Sequence, residues 1–190
     1  MPANKHEAVD KPGDLLLNQW LANGPAPIYI GFGSNGVAEN LKMGEILKEI
    51  LTRTSERILF CTGWALYADL PGHPNLFVTK YVNHDTVLPQ CKIGIFHGGA
   101  GTLCAMLRNN LPVVIVSFYT DQPTWGKIIA RKGLGVHIPA KKLSARKLIK
   151  AIEAVQGPAV KRNAAATGDC IRNENGLLQT INAIEAYFKQ

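Results

Sequence analysis

The chain has 190 residues, of which 46% are hydrophobic, and its formal net charge is +7. This length fits one ordinary domain. The apolar run at residues 15–17 is much too short to cross a bilayer and no signal peptide precedes it, so we expect a soluble, cytoplasmic protein.

Short apolar runs alternate along the chain with segments of helical periodicity. Residues 1–24 are predicted to form a polar lead-in and linker that ends in an amphipathic stretch at 15–21. Strands are predicted at 27–32, 57–62, 76–79, 92–96, 112–118 and 135–138, and helices at 40–53, 101–109, 123–132 and from 144 onward. Ser144 is predicted to cap its helix. Continuously apolar strands are typical of sheets covered on both faces, so we predict an α/β fold with a Rossmann-like, doubly wound parallel sheet.

Two features of side-chain placement follow from the same pattern. The cysteines, Cys61, Cys91, Cys104 and Cys170, show no paired metal spacing and lie mostly in apolar stretches, so we expect buried thiols in a reducing cytoplasm. The last predicted helix carries an apolar stripe at Leu177, Leu178, Ile181, Ile184 and Phe188. Part of this stripe is expected to be exposed unless a further domain covers it.

A glycine-rich turn, His-Gly-Gly-Ala-Gly-Thr at 97–102, joins a predicted strand to a predicted helix. Glycines let the backbone approach a ligand closely, and the free N–H groups of a helix N-terminus attract phosphate. The His97 ring and the Thr102 hydroxyl can each donate a hydrogen bond to a phosphate oxygen. We therefore predict that a nucleotide diphosphate binds here.

Asp121 and Gln122 follow the next predicted strand and can bind hydroxyl groups. A phosphate site on one strand end and a hydroxyl-binding pair on its neighbour suit a nucleotide sugar that lies across a topological switch point.

The motifs HGGAGT at 97–102 and DQPTWG at 121–126 resemble the donor-binding half of GT-B glycosyltransferases, in particular UDP-sugar-dependent enzymes that act on sterols, lipids and natural products. Further similar segments are at 19–21, 28–34, 63–64, 81–85 and 133–136, so the resemblance covers nearly all the chain. It implies that residues 25–190 form the donor-binding domain of an inverting, metal-independent transferase. That enzyme would move a hexose, with glucose favoured, from a UDP-sugar to a hydroxyl of a lipid, sterol or other small molecule.

The resemblance also implies roles for individual residues. Gly33 and Ser34 would lie beside the donor phosphates, Tyr81 would stack on uracil, Val82 would bind the uracil edge through its backbone, and His84 would reach the ribose. The other implied donor-binding residues are His97, Gly99, Gly101, Thr102, Asp121 and Gln122. Each prediction has a structural alternative: Tyr81 as packing, His84 as a surface loop residue, His97 as a core histidine, and Asp121 as a helix cap.

The chain departs from the plant-type members of this family. They carry tryptophan followed by a proline-glutamine pair in the segment of Tyr81, and glutamate where this chain has Ala105. These departures favour the bacterial and sterol-type branch.

The resemblance further implies that the general base is a histidine of an N-terminal acceptor-binding domain, so no catalytic residue is predicted in this chain. His6, His73 and His137 lie in no matching motif. We expect the isolated chain to bind donor without transferring sugar. The alternative is a separately encoded or non-catalytic donor subunit that needs a partner.

A second motif favours a different function. Residues 31–36 match G-x-G-x-x-G after a strand, as in an NAD-binding oxidoreductase domain. Such a domain needs an acidic residue at the end of the second strand, whereas Glu56 precedes that strand. The oxidoreductase interpretation is therefore the weaker one.

Metal and nucleic-acid binding are not predicted. The chain has no acidic D-x-D pair, and Asp10 and Asp14 lie in the predicted linker. Basic residues concentrate at Lys127, Arg131, Lys132, Lys141, Lys142, Arg146, Lys147 and Lys150. They are not interleaved with base-stacking aromatics, so a solvated helical face is the default and weak peripheral contact with an anionic membrane is the remaining alternative.

Overall fold

A computed structural model describes residues 12–188, so His6 and Asp10 lie outside the described residues. The strands are β1 (Ile28–Gly31), β2 (Ile58–Cys61), β3 (Leu76–Thr79), β4 (Ile93–Phe96), β5 (Val113–Ser117) and β6 (Gly135–Pro139). They form one six-stranded sheet in the order β3-β2-β1-β4-β5-β6, and every pairing is parallel. This confirms the predicted doubly wound α/β fold.

The helices are α1 (Pro12–Ala22), α2 (Met43–Arg53), α3 (His84–Val87), α4 (Ala100–Arg108), α5 (Gln122–Arg131), α6 (Ala145–Val155), α7 (Pro158–Asn173) and α8 (Gly176–Phe188). The sequence pattern did not predict α3, because a single turn is too short to show helical periodicity. The Asn83 side chain caps this turn by accepting a hydrogen bond from the Asp85 N–H at 2.9 Å. The predicted cap at Ser144 is confirmed, with the Lys147 N–H at 3.4 Å.

Helices cover both faces of the sheet. Leu47 and Ile50 of α2 pack with Leu148 of α6 on one face. On the other face, Met106 of α4 packs with Ile129 of α5. Burial on both sides explains why the strands read as continuous apolar runs.

The helix α1 packs onto this domain through its second half. Leu17 and Leu21 are buried in the same cluster as Met106. The Arg57 guanidinium lies 3.8 Å from the centre of the Trp20 ring and donates hydrogen bonds to the carbonyls of Trp20 and Pro25. The division into a linker at 1–24 and a domain at 25–190 stays a prediction.

The predicted burial of the cysteines is correct for Cys61 and Cys91 and wrong for Cys104 and Cys170, which are exposed. The reason is helical geometry: Leu103 and Met106 of α4 face the core, whereas Cys104 lies on the outer face of the same helix. Apolar neighbours in sequence therefore did not imply burial.

The apolar stripe on α8 is exposed, as predicted. All five predicted residues are exposed, namely Leu177, Leu178, Ile181, Ile184 and Phe188, and Tyr187 of the same helix is exposed as well. None of the described helices is both long and apolar enough to span a bilayer.

Candidate functional site

The candidate site lies where the sheet changes its winding direction. Strands β1 and β4 are neighbours in the sheet, but the chain leaves them toward opposite edges. In open parallel sheets, ligands bind in the crevice beyond the carboxyl ends of such a strand pair. The loops that follow β1 and β4 carry Gly33 and His97, two of the residues predicted to bind donor.

The loops after β1 and β2 are in close contact. The Gly33 carbonyl accepts a hydrogen bond from the Trp64 N–H at 3.3 Å. Both Gly33 and Gly63 have positive φ angles, of 64° and 62°. A Cβ atom on Gly63 would lie 2.0 Å from the Gly33 carbonyl oxygen. Only glycine fits at Gly63, and this close approach holds the loop that carries Gly33.

His97 carries a buried nitrogen atom with no partner. Its Nδ1 atom makes no hydrogen bond with any described residue. The same is true of Nδ2 of Asn35, which follows the neighbouring strand β1. A buried polar atom without a partner costs about 1–3 kcal/mol, so two at one edge of a sheet indicate a site for a polar ligand.

Burial lowers the pKa of His97, and the negative charge of Asp121 partly opposes that effect. The lowered pKa means that the imidazole is neutral at pH 7 in the unliganded protein. A neutral imidazole carries one N–H, which can donate to an anionic oxygen.

The N-terminus of α4 is open for a ligand. Gly99 is the N-cap residue and has no side chain to satisfy the N–H groups of the first turn. A Cβ atom on Gly101 would have no atom within 4 Å, whereas one on Gly99 would lie 2.6 Å from Nε2 of His97. Gly99 therefore makes room for the histidine ring, and Gly101 leaves open space at the helix end.

A cleft of about 240 Å³ is lined by Gly33, Gly63 and His97, whereas the predicted donor-binding residues Gly99, Gly101 and Gln122 do not line it. Seven of the predicted donor-binding residues line it: Gly33, Ser34, Tyr81, Val82, His84, His97 and Thr102. The Tyr81 side chain is 62% exposed, and Trp64, also at this cleft, is 74% exposed. Two exposed aromatic rings beside one cleft are surfaces on which a flat base can stack.

His84 is half-buried and forms a hydrogen bond with Tyr29, a residue that the sequence did not indicate as part of the site. Its Nε2 atom lies 3.2 Å from the Tyr29 hydroxyl, and the two rings meet edge to face. Burial lowers the pKa of His84. Because Tyr29 holds Nε2, the other ring nitrogen of His84 remains for a ligand. A tyrosine in an otherwise aliphatic strand was the available signal, since a buried hydroxyl needs a polar partner.

Asp121 is exposed and does not line the cleft. Its carboxylate accepts hydrogen bonds from the Thr120 hydroxyl and the Trp125 indole N–H, both at 3.0 Å. The bond from Thr120 is the main reason that the pKa of Asp121 is lowered. The carboxylate makes no capping bond, although Asp121 stands at the N-cap position of α5. It is close enough to His97 for its negative charge to favour the protonated imidazole.

Gln122, predicted beside Asp121 in the donor site, is turned inward instead. Its side chain is buried, and its Oε1 atom accepts hydrogen bonds from the N–H groups of Phe118 at 2.9 Å and Tyr119 at 3.4 Å. The Oε1 atom therefore holds the backbone of the loop after β5 in place. The Nε2 atom makes no hydrogen bond with a described residue and remains available as a donor.

Three further residues of the site were missed by sequence reasoning. Trp64 and Lys80 line the cleft, and Asn35 accepts a hydrogen bond from the Tyr119 hydroxyl at 3.1 Å. The last contact joins the loops after β1 and β5. Lys80 directly precedes Tyr81, the predicted stacking residue, and this position could have indicated its role. The contact between Asn35 and Tyr119 joins residues 84 apart and leaves no local signal in the sequence.

The structure argues against an NAD site at residues 31–36. Strand β2 ends at Cys61 and is followed by Thr62, so the ribose-binding acid is missing. Glu56 lies at the opposite end of that strand, where it pairs with Lys92 and accepts a hydrogen bond from Gln156 at 3.0 Å. Between residues 12 and 188, no group of three or more His, Cys, Asp or Glu residues could hold a metal ion.

The half-buried histidines predict a pH-dependent stability. Burial lowers the pKa of His84, His97 and His137 below the value of the unfolded chain. Between the folded and unfolded pKa values, the unfolded chain binds more protons, so stability rises with pH there and is lost as pH falls below about 6.5. We expect a lower melting temperature at pH 5.5 than at pH 7.5.

Melting curves of the His97→Gln variant over this pH range would test the origin of the effect, with His73→Gln, at an exposed histidine, as control. The His97 variant should show a flatter pH dependence than the control. Equal slopes for both variants would contradict the assignment.

A family model described as "Erythromycin biosynthesis protein CIII-like, C-terminal domain" matches residues 47–176. Two sterol 3-beta-glucosyltransferases of Arabidopsis thaliana are 37% and 34% identical to this chain over 182 residues, and the matches cover 95% and 93% of it. The chain spans 28% and 29% of the length of these two relatives.

Solved structures give the same picture at lower identity. The glycotransferase of kitacinnamycin superposes with a TM-score of 0.74 at 20% identity, over 98% of this chain and 47% of that one. The glycosyltransferase SnogD from Streptomyces nogalater superposes with a TM-score of 0.66 at 20% identity, over 88% of this chain and 44% of that one. At these identities the similarity shows the fold: this chain corresponds to less than half of each of those proteins.

Proposed function

Because the chain belongs to the erythromycin biosynthesis protein CIII-like C-terminal domain family of glycosyltransferases, we propose that it is the donor-binding half of an inverting, metal-independent hexosyltransferase. The donor is a UDP-sugar, with UDP-glucose favoured. The observation that carries the proposal is the unpartnered Nδ1 atom of His97, buried in a cleft beside the open N-terminus of α4.

The diphosphate has the best-supported position in this proposal. We place the diphosphate between His97 and Thr102, which line the cleft, and the first N–H groups of α4, where Gly101 leaves open space. Hydrogen-bond donors at this point bind the ground-state phosphates and stabilise the negative charge that develops as the nucleoside diphosphate leaves. Lys80, on the wall of the same cleft, adds a positive charge.

The nucleoside lies on the other side of the cleft in our proposal. Uracil stacks on Tyr81 or Trp64, and the Val82 backbone binds its edge. His84, held by Tyr29, reaches the ribose. Both aromatic rings are exposed and adjoin the cleft, which supports a stacking role better than a packing role.

The transferred sugar lies toward the loop after β5. The exposed Asp121 carboxylate accepts hydrogen bonds from sugar hydroxyls, while only the Nε2 end of Gln122 takes part, because its Oε1 atom binds the backbone. Fixing the hexose in this way holds its anomeric carbon in position for attack by the acceptor hydroxyl.

The acceptor and the general base belong to an N-terminal half in this proposal. A histidine of that half deprotonates the acceptor hydroxyl, which attacks the anomeric carbon with inversion as the nucleoside diphosphate leaves. The relatives named as sterol 3-beta-glucosyltransferases favour a sterol or other lipid acceptor. The exposed apolar face of α8 is the surface expected to meet that half. We further propose a cytoplasmic location, which suits four free cysteines.

Calorimetric titration of the 190-residue chain with UDP, UDP-glucose and NADH tests the proposed function. We expect both uridine ligands to bind and NADH not to bind. Asp121→Ala should weaken the binding of UDP-glucose about tenfold, because one hydrogen bond to a charged group is lost. The affinity for UDP should not change. UDP thus serves as the internal control for the fold.

Two results would overturn this assignment. Binding of NADH in place of UDP would favour the oxidoreductase interpretation. An equal loss of UDP and UDP-glucose in Asp121→Ala would place this carboxylate at the diphosphate or in the folding of the loop, and not at the sugar.

A further inference from the structure

The positive charge of the chain is concentrated in one segment. Residues 122–152 contain eight Lys or Arg residues and no Asp or Glu, whereas the whole chain has a net charge of +7. The remainder of the chain is therefore close to neutral, and any electrostatic attraction to a large anionic partner should come mainly from this segment.

Part of this segment forms a groove at the free edge of the sheet. Strand β6 is an edge strand, and a groove of about 340 Å³ runs between it and α6. The apolar floor consists of Val136, Ile138, Pro139, Ala151 and Ala154. Lys142, Lys147 and Lys150 line the same groove.

The geometry of α6 explains this mixture of lysines and small apolar residues. Lys147, Lys150, Ala151 and Ala154 recur at intervals of three and four, so they share one face of the helix. The neighbouring face, which carries Leu148, is buried against the sheet. Small alanine side chains leave the groove open between the helix and the strand.

The charges of the groove are not compensated. The three lysines are exposed, and none forms a salt bridge with a carboxylate in the described part of the chain. His137 also lines the groove; burial is the main reason that its pKa is lowered, and the charge of nearby Lys127 adds to that effect. The His137 Nε2 atom is already hydrogen-bonded to the Ser117 hydroxyl at 2.8 Å, so its imidazole is held in place.

We propose that this groove docks the protein on an anionic lipid bilayer. Headgroup phosphates bind Lys142, Lys147 and Lys150, and the apolar floor takes up the adjoining part of an acyl chain. Charge complementarity is the basis for this partner, since lysines at a bilayer surface each add to binding of anionic lipid. Nucleic acid fits less well, because apart from the His137 imidazole no aromatic ring lines the groove on which bases could stack.

The lipid groove and the donor cleft share no residue, so each can be tested alone. Cosedimentation of the 190-residue chain with phosphatidylcholine vesicles, with and without phosphatidylserine, measures docking. We expect binding only to the vesicles that contain phosphatidylserine. The triple variant Lys142→Gln, Lys147→Gln, Lys150→Gln should lower that binding by about tenfold to a hundredfold.

A matched triple variant separates the groove from net charge alone. Lys48, Arg108 and Lys161 are exposed and do not line the groove, and replacing all three with glutamine removes the same charge. This variant should keep most of the binding. Unchanged melting temperatures of both triple variants would show that they fold, whether or not the proposed donor site is correct.

Three outcomes would overturn the proposal. The first is no binding to anionic vesicles by the unsubstituted chain. The second is an equal loss of binding in both triple variants, which would mean a diffuse charge effect. The third is tight binding of a DNA duplex or single strand that the groove triple variant loses, while the same variant keeps its vesicle binding. That result would assign the groove to nucleic acid.

Discussion

Replacing His97 with alanine is expected to weaken the binding of UDP and of UDP-glucose by the same factor, about tenfold to a hundredfold. Hydrogen bonds to charged groups contribute about 1.5–3 kcal/mol, and the buried imidazole is placed to donate one to the diphosphate that both ligands share. The fold should tolerate the change, because Nδ1 of His97 has no hydrogen bond with a described residue to lose. Calorimetric titration of the variant and the unsubstituted chain would measure the factor.

The pH dependence of this effect has a definite sign. Burial lowers the pKa of His97 in the free protein, and a bound diphosphate would raise it, because a nearby anion favours the charged imidazolium. Affinity for UDP should therefore increase as pH falls from 8 to 6, and the increase should be smaller in His97→Ala. Protonation of UDP itself is common to both proteins and cancels in the comparison.

Gly101→Ala provides an independent second variant of the same site. The open space at this position means that a methyl group meets no protein atom within 4 Å. Alanine is also a better helix former than glycine by about 0.5–1 kcal/mol. The variant should therefore be at least as stable as the unsubstituted chain, yet it should bind UDP more weakly because the methyl group occupies the proposed phosphate position. Normal UDP binding by both His97→Ala and Gly101→Ala would contradict a diphosphate site at α4.

The fold and the centre of the site could be predicted from the sequence because both depend on local signals. Apolar runs such as 112–118 can belong only to buried strands or helices, and their short length and β-branched residues favour strands. The glycine turn at 97–102 directly follows one such run. Once the sheet is parallel, the strand ends share one edge, so His97 and Gly33 come together without any knowledge of the contacts between them.

The features that were missed depend on which way a side chain turns within the packed domain. The bond between Tyr29 and His84 joins residues 55 apart, and the inward turn of Gln122 is decided by two backbone N–H groups that need an acceptor. Cys104 is exposed because its neighbours occupy the buried face of α4. The groove beside α6 likewise exists because one helix face adjoins an unpaired strand edge. The exposure of Cys104 and the lysine face of α6 follow helical spacing once the helix is placed, whereas the Tyr29–His84 contact and the turn of Gln122 leave no pattern within a single window of sequence.

Gly63→Ala is expected to destabilise the chain by about 2–5 kcal/mol, because two costs add at this position. A non-glycine residue at a φ of 62° costs roughly 1–2 kcal/mol. Its Cβ atom would also lie 2.0 Å from the Gly33 carbonyl oxygen, a backbone atom that can move only if the loop after β1 moves with it. Relief of such an overlap typically costs a further 1–3 kcal/mol or so.

The same displacement links stability to function, because the loop that must move carries Gly33 and Ser34 at the donor cleft. Urea unfolding should therefore show a large loss of stability in Gly63→Ala, and any folded fraction should bind UDP more weakly. Gly72→Ala is the matched control, since a Cβ atom there meets nothing within 4 Å and its φ is not positive. If both alanine variants proved equally stable, the close approach of the loops after β1 and β2 would be wrong, and with it the argument that this contact positions Gly33 for the donor phosphates.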